Sequence, residues 1–89
     1  MYSPRILLAI KELVEGLETP QNAEVIVALA RERFKEQGFD VAGRTIVRAL
    51  SYLTNNLHWI RAVIIGPRGR LGYVGLKWRK TLDKAKLVL

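Results

Sequence analysis

Apolar residues recur at intervals of three and four in the first part of the chain, which predicts two amphipathic helices. The first spans residues 4–16, with Ser3 as a suitable N-cap and Pro4 in the first turn. The second opens at Thr19-Pro20 and stops at Gly38, because glycine readily adopts the left-handed conformation that ends a helix. The expected inward residues are Ile6, Ile10, Leu13, Val14 and Leu17 in the first helix, and Ile26, Leu29, Ala30 and Phe34 in the second, with Val25 beside them.

A third apolar stripe predicts a helix over residues 42–55, ended by Asn55-Asn56 in the left-handed conformation. The pattern then changes to β-branched and aromatic residues, which predicts strands over 58–65 and 71–78 around a glycine-proline turn at 66–70. Gly72 and Gly75 indicate close packing or a bulge in the second strand. Residues 79–89 form a basic and apolar tail, in which a short helix would align Leu82, Ala85 and Leu89. The expected inward residues of the third helix are Ile46, Ala49, Leu50, Leu53 and Leu57.

The charge of the chain is divided unevenly along its length. Residues 1–40 contain five basic and seven acidic residues, whereas residues 41–89 contain ten basic residues and one acid, a balance of +9. A concentrated positive charge is unfavourable unless a polyanion neutralises it, and it is the usual electrostatic mark of a nucleic-acid-binding protein. A basic surface that serves only solubility is the alternative.

The segment Val-Ala-Gly-Arg-Thr-Ile-Val-Arg-Ala-Leu-Ser-Tyr-Leu, residues 41–53, follows a short turn and precedes the hairpin. This segment and the order of the elements resemble the winged helix-turn-helix superfamily over nearly the whole chain. Asn55-Asn56-Leu57 stands where a glycine is usual in that superfamily. The resemblance implies one α+β domain over residues 1–89, with three helices, a β-hairpin wing and a short basic tail or helix. It also implies sequence-dependent binding of double-stranded DNA, usually in a transcription regulator and in some proteins in replication or plasmid partition.

The third helix carries the candidate residues for reading DNA sequence. When its apolar stripe is buried, helical geometry turns Arg44, Val47, Arg48 and Ser51 outward and leaves Thr45 and Tyr52 at the edges of that face. The two arginines are suited to guanine edges in the major groove and Val47 to a thymine methyl group. The hydroxyl groups of Thr45 and Ser51 are suited to phosphate. Alternatively, the arginines only pair with acids of the second helix, such as Glu32 or Glu36.

The hairpin carries a second group of candidate DNA contacts. Arg68 and Arg70 flank Gly69 at the tip, where an arginine can enter the minor groove. An ordinary exposed turn is the alternative. Phosphate contacts are expected from Arg61, Lys77, Arg79 and Lys80, and they should make binding salt-dependent.

Three aromatic residues lie in or beside the hairpin. Trp59, Tyr73 and Trp78 either pack the hairpin onto the helices or stack on unpaired bases. Packing is the favoured role for Trp59, and the two roles are evenly balanced for the others. His58, the single histidine, is expected at the surface or at the entry to the first strand.

Several classes of function are disfavoured by the composition. The chain has no cysteine, which excludes disulfides and thiolate chemistry, and no metal site, cofactor or catalytic set is expected. The protein is expected in the cytoplasm, with no signal peptide and no membrane span. RNA binding within a ribonucleoprotein and protein docking in a replication or transcription assembly are the alternatives to DNA binding. A homodimer through the first helix and residues 80–89 is also expected, although that tail can equally fold back on its own core.

Overall fold

The computed structural model describes residues 3–66 and 68–78. These residues form a small α+β structure with three helices and one two-stranded antiparallel hairpin. The bounds, in chain order, are α1 Pro4–Glu15, α2 Ala23–Glu36, α3 Gly43–Asn55, β1 Ile60–Ile65 and β2 Arg70–Gly75. The predicted order of elements is therefore confirmed, while the helix proposed for residues 79–89 lies outside the described residues.

α1 begins where the sequence predicts, but α2 begins later. Proline is the first residue of α1 as predicted, but the Ser3 side chain makes no capping hydrogen bond. The predicted start of α2 at Thr19-Pro20 is wrong, because the helix begins at Ala23 and the side chain of Asn22 accepts a hydrogen bond of 3.0 Å from the Val25 amide. The preceding residue, Gln21, is held in an isolated β-bridge with Tyr73 of β2, and this bridge keeps the chain out of the helix.

The end of α2 follows the prediction and the end of α3 does not. Gly38 has a φ of 86°, and the amide of Phe39 donates to the carbonyl of Phe34 at 2.8 Å, which closes the helix. α3 ends at Asn55 as predicted, but Asn56 remains right-handed, with a φ of −104°. The amides of Asn56 and Leu57 both donate to the carbonyl of Tyr52, so the right-handed turn extends past the end of α3. The left-handed residue is therefore His58, at a φ of 56°.

The core lies between the three helices and the base of the hairpin. Of the stripe predicted for α3, Ile46, Ala49, Leu50 and Leu53 are buried, whereas Leu57 lies beyond the end of the helix and is half-buried. α1 buries Leu7 in place of Ile6, which is half-buried. On α2 the prediction fails for Leu29, which is 40% exposed, and for Val25, which is 38% exposed. The reason is geometric, because the buried line on α2 runs through Ile26, Ala30 and Phe34 at four-residue spacing, and Leu29 lies about 100° to one side of it.

The hairpin is shorter than predicted and closely packed at its base. β1 lacks the predicted residues 58 and 59, and β2 ends at Gly75 instead of residue 78 but begins one residue early, at Arg70. The register pairs Ile60 with Gly75 at the base and Ile65 with Arg70 at the tip. Close packing of the two strand glycines is confirmed. A Cβ atom on Gly75 would lie 3.1 Å from the Cα atom of Glu15, and one on Gly72 would lie 3.0 Å from Cγ2 of Ile65. α1 and β2 therefore approach each other at a distance that a side chain would prevent.

Candidate nucleic-acid interface

One face of α3 is exposed along its whole length and is polar except for Val47. Because the opposite stripe of the helix is fully buried, Arg44, Val47, Arg48 and Ser51 are exposed. Thr45 and Tyr52 are half-buried at the margins, as expected for edge positions. We call this surface the α3 outer face.

The start of α3 is placed by a close approach to α2. A Cβ atom on Gly43 would lie 3.3 Å from Cγ1 of Val27, so glycine lets the first turn of α3 pack against the middle of α2. The amides of Thr45 and Ile46 donate to the carbonyl oxygen of Ala42 at 3.0 and 3.3 Å. Arg44 therefore projects from a turn whose backbone is fixed on one side by α2.

The arginines of the α3 outer face are not neutralised by the neighbouring helix. The ion pairs found within residues 3–66 and 68–78 are Lys11 with Glu15 at 3.0 Å and Arg31 with Asp40 at 3.8 Å. Pairing of Arg44 or Arg48 with the α2 acids, the alternative interpretation of these residues, is not formed in this part of the chain.

The α3 outer face includes one residue that the sequence analysis did not assign to it. Asn55 is exposed, and its Nδ2 atom donates a hydrogen bond of 3.2 Å to Oγ of Ser51. It lies seven residues beyond Arg48, which places it on the same side of the helix. The three-and-four spacing from Arg48 to Ser51 to Asn55 contained this signal, but the residue was assigned only to the end of the helix.

The hairpin tip presents a second exposed cationic group. Arg68, Gly69 and Arg70 are all exposed, and Gly66 and Gly69 both have positive φ, at 76° and 71°. Positive φ at both glycines is consistent with the turn that the sequence predicts between the two strands. Lys77 is exposed just beyond β2.

An apolar pair, not noted in the sequence, lies beside this tip. Ile64 and Leu71 are directly opposite each other in the register and are 68% and 52% exposed. Because they are cross-strand neighbours, they share one face of the hairpin. The tip therefore combines arginine side chains with an exposed aliphatic surface.

The predicted phosphate contact at Arg61 does not fit its surroundings. Nη2 of Arg61 donates a hydrogen bond of 2.6 Å to the main-chain carbonyl of Trp78, and its Nε atom is buried without a partner among the described residues. We therefore leave Arg61 out of the interface, because its guanidinium is committed within the fold. Arg79 and Lys80 lie outside the described residues.

The three aromatic residues have different environments. Trp59, for which packing was the favoured role, is not part of the buried core: it is 37% exposed, one position out of phase with buried Ile60. Tyr73 is half-buried and packs against the core. Trp78 is half-buried, and its indole Nε1 donates a hydrogen bond of 2.9 Å to the carbonyl of Glu18. His58 is exposed ahead of β1, as predicted.

The basic and the acidic residues lie on different elements of the fold. Residues 41–78, which include α3 and the hairpin, contain six basic residues and no acid. The acids of the described chain lie on or beside α1 and α2. The same stretch of chain thus supplies the exposed α3 arginines and the exposed hairpin arginines with no acid between them in sequence.

The described residues contain no group of three or more His, Asp or Glu side chains placed to hold a metal ion. No helix within that part of the chain is long and apolar enough to cross a membrane. Comparisons with protein-family models, with curated proteins and with solved structures found no significant match to this chain.

Proposed function

We propose that this protein binds double-stranded DNA in a sequence-dependent way through the α3 outer face and the hairpin. The observation that supports this most strongly is that Arg44 and Arg48 lie exposed on one side of α3 and form no ion pair among the described residues. Two arginines four residues apart on a helix, with no ion-pair partner, are suited to DNA, because each can donate two hydrogen bonds to the O6 and N7 atoms of a guanine. The acid-free sequence from residue 41 to residue 78 supports the same conclusion.

We further propose that the fold is a winged helix-turn-helix. Three helices followed by an antiparallel hairpin agree with that layout. α3 would then lie in the major groove, because an α-helix fits its width and the N-terminal half of such a helix reaches the bases. In this arrangement Arg44 and Arg48 contact guanine edges, Val47 meets a thymine methyl group, and Ser51 and Thr45 bind phosphate.

The hairpin supplies affinity and orientation in this proposal. Arg68 and Arg70 sit on a narrow turn that can reach the phosphate backbone or the minor groove, where the potential is most negative. Exposed Ile64 and Leu71 can lie against deoxyribose beside them. Lys77 adds one phosphate contact at the base of the hairpin.

The cellular role that suits such a binder is regulation of transcription. Regulators of this type commonly place two copies on half-sites about one helical turn apart. A homodimer through α1 and residues 80–89 stays a prediction.

Binding to a random 20-base-pair duplex, followed by fluorescence anisotropy at low and moderate salt, tests this function. We expect binding at low salt, with log K falling linearly against log salt concentration at a slope of about −0.9 per phosphate neutralised. Selection of preferred duplexes from a random pool then tests sequence dependence. Absence of binding at low salt would contradict the proposal.

RNA binding is a second candidate because Trp59 is exposed beside the hairpin. An exposed indole can stack on an unpaired base, a contact that a continuous duplex does not offer. Competition between the duplex and a structured RNA of equal length separates the two candidates. Tighter RNA binding that survives excess duplex would establish RNA as the ligand. Failure to bind either nucleic acid would favour the remaining alternative, protein docking in a replication or transcription assembly.

A further inference from the structure

A groove between α1 and α2 combines apolar and acidic residues. It has a volume of about 340 Å³ and is bordered by Leu17 and Leu29 and by Glu12, Glu32 and Glu36, with Arg33 as the one cation. We call it the α1–α2 groove. Leu29 is 40% exposed there, although it belongs to the apolar pattern of α2. Val25, four residues earlier and so on the same side of α2, is also exposed, which extends the apolar strip by one turn.

The chain leaves the hairpin beside one end of this groove. The indole of Trp78 is hydrogen-bonded to the carbonyl of Glu18, the residue that follows Leu17. Leu17 borders the α1–α2 groove and also the surface hollow formed with residues 75–78. Trp78, the described residue that precedes the segment 79–89, therefore lies beside the Leu17 end of the groove.

The composition of residues 79–89 is complementary to that of the groove. The segment has four basic residues, Arg79, Lys80, Lys84 and Lys86, against the single acid Asp83. Its apolar residues are Leu82, Ala85, Leu87, Val88 and Leu89. A basic and apolar segment thus follows directly from a fold whose acidic and apolar groove lies beside the exit point.

The length of the segment is sufficient for it to follow the groove. Eleven residues span about 16 Å as a helix and at most about 40 Å when extended. α2, with 14 residues, is about 21 Å long.

We propose that residues 79–89 dock in the α1–α2 groove of their own chain. The apolar residues of the segment cover Leu29 and Leu17, while its lysines face Glu12, Glu32 and Glu36. Docking within one chain is favoured over docking on a second copy because the short connection gives the segment a high effective concentration at its own groove. The proposal chooses between the two fates that the sequence leaves open for this segment, and it does not depend on the proposed DNA binding.

Disulfide trapping in the full chain tests the proposal cleanly, because the natural sequence has no cysteine. Leu29→Cys is combined in turn with Leu82→Cys, Ala85→Cys and Leu87→Cys. The matched control places Ala28→Cys, an exposed position one residue earlier on α2 and outside the groove, with the same three partners. Disulfide formation is followed in mild oxidant at micromolar protein without nucleic acid, and the products are separated by mass.

We expect at least one pair with Leu29→Cys to form an intramolecular disulfide about ten-fold faster than the matching pair with Ala28→Cys. Equal rates at the two positions for all three partners would overturn the proposal, because they would show a segment with no preferred site. Predominant disulfide-linked dimers would also overturn it, since the groove would then be occupied by a second copy.

Charge reversal gives an independent arm of the same experiment. Glu32→Lys together with Glu36→Lys should abolish the preference for position 29, and adding Lys84→Glu with Lys86→Glu should restore at least half of it. Both acids are exposed, so their replacement leaves the core intact. A preference that is unchanged by the first pair of substitutions would contradict the charge complementarity on which the proposal rests.

Discussion

Nη2 of Arg61 donates a hydrogen bond of 2.6 Å to the main-chain carbonyl of Trp78, seventeen residues further along the chain. The same guanidinium lies over the Trp78 ring, with 5.7 Å between its central carbon and the ring centroid. Because the Trp78 indole is bonded in turn to the carbonyl of Glu18, these contacts link the base of the hairpin to the end of α1. Arg61 thus serves the fold, although its charge alone resembles that of a phosphate ligand.

Replacement of Arg61 should therefore affect stability more than DNA binding. Arg61→Leu removes a charge-assisted hydrogen bond and should lower the free energy of unfolding by about 1–3 kcal/mol. Urea denaturation measures this change. The loss of DNA affinity, measured on folded protein, should be smaller than that caused by Arg70→Ala. An unchanged stability with a larger loss of affinity would instead identify Arg61 as a DNA contact.

The glycine at the end of β2 should not tolerate a side chain. Gly75→Ala places a Cβ atom 3.1 Å from the Cα atom of Glu15, and because that neighbour is backbone, the strand or α1 must shift. We expect a loss of about 1–3 kcal/mol in the free energy of unfolding. Gly16→Ala is the matched control, since the nearest atoms to its Cβ would be 3.6 Å away and its φ is −80°. The control should be neutral or slightly stabilising, and equal destabilisation by both substitutions would contradict the packing described.

The two sides of α3 should respond in opposite ways to truncation. Leu50→Ala opens a cavity in the core and should cost about 2–5 kcal/mol of stability. Val47→Ala, on the exposed side, should change stability by less than about 0.5 kcal/mol. Thermal and urea unfolding compare the two variants. A large loss from Val47→Ala would show that the α3 outer face is covered by another part of the protein.

Arg48 and Arg70 should contribute differently to recognition of DNA. Arg48→Ala should relax the base preference at one position, at a cost of about 1–3 kcal/mol for the preferred site. Arg70→Ala should weaken binding to preferred and random duplexes by similar factors, because a phosphate contact does not read sequence. Selection from a random duplex pool with each variant checks both expectations. Equal, sequence-independent losses from the two variants would indicate backbone attraction alone.

The parts of the fold predicted from the sequence are those governed by local periodicity. The inward stripe of α3 from Ile46 to Leu53 and the stop at Gly38 follow from helical spacing and from the left-handed preference of glycine, and both are confirmed. The starts of elements depend on contacts between distant residues. Gln21 pairs with Tyr73 across the fold, and no local pattern at Thr19-Pro20 indicates that this bridge delays α2.

The same division applies to the candidate site. The exposure of Arg44 and Arg48 follows from the burial of their own helix, so the sequence predicts it. Whether the Arg61 guanidinium is available to a ligand depends on a carbonyl oxygen seventeen residues away. The exposure of Trp59 depends on where β1 begins, and the predicted strand began two residues too early. The exposed Ile64–Leu71 pair required the register of the hairpin, which spacing alone did not fix.

The most direct measurement is the affinity of three double variants for the same duplex at moderate salt. Arg44→Gln with Arg48→Gln tests α3, Arg68→Gln with Arg70→Gln tests the hairpin, and Arg33→Gln with Lys35→Gln on α2 is the control, because these two α2 cations are exposed and form no ion pair among the described residues. Each pair removes the same formal charge, so a nonspecific effect of net charge is equal in all three. We expect Kd to rise at least about ten-fold for the α3 and hairpin pairs, because each loses two contacts to DNA, and to stay within about two-fold for the α2 pair. Equal weakening by all three pairs, or no binding of the natural protein at low salt, would contradict a DNA interface formed by α3 and the hairpin.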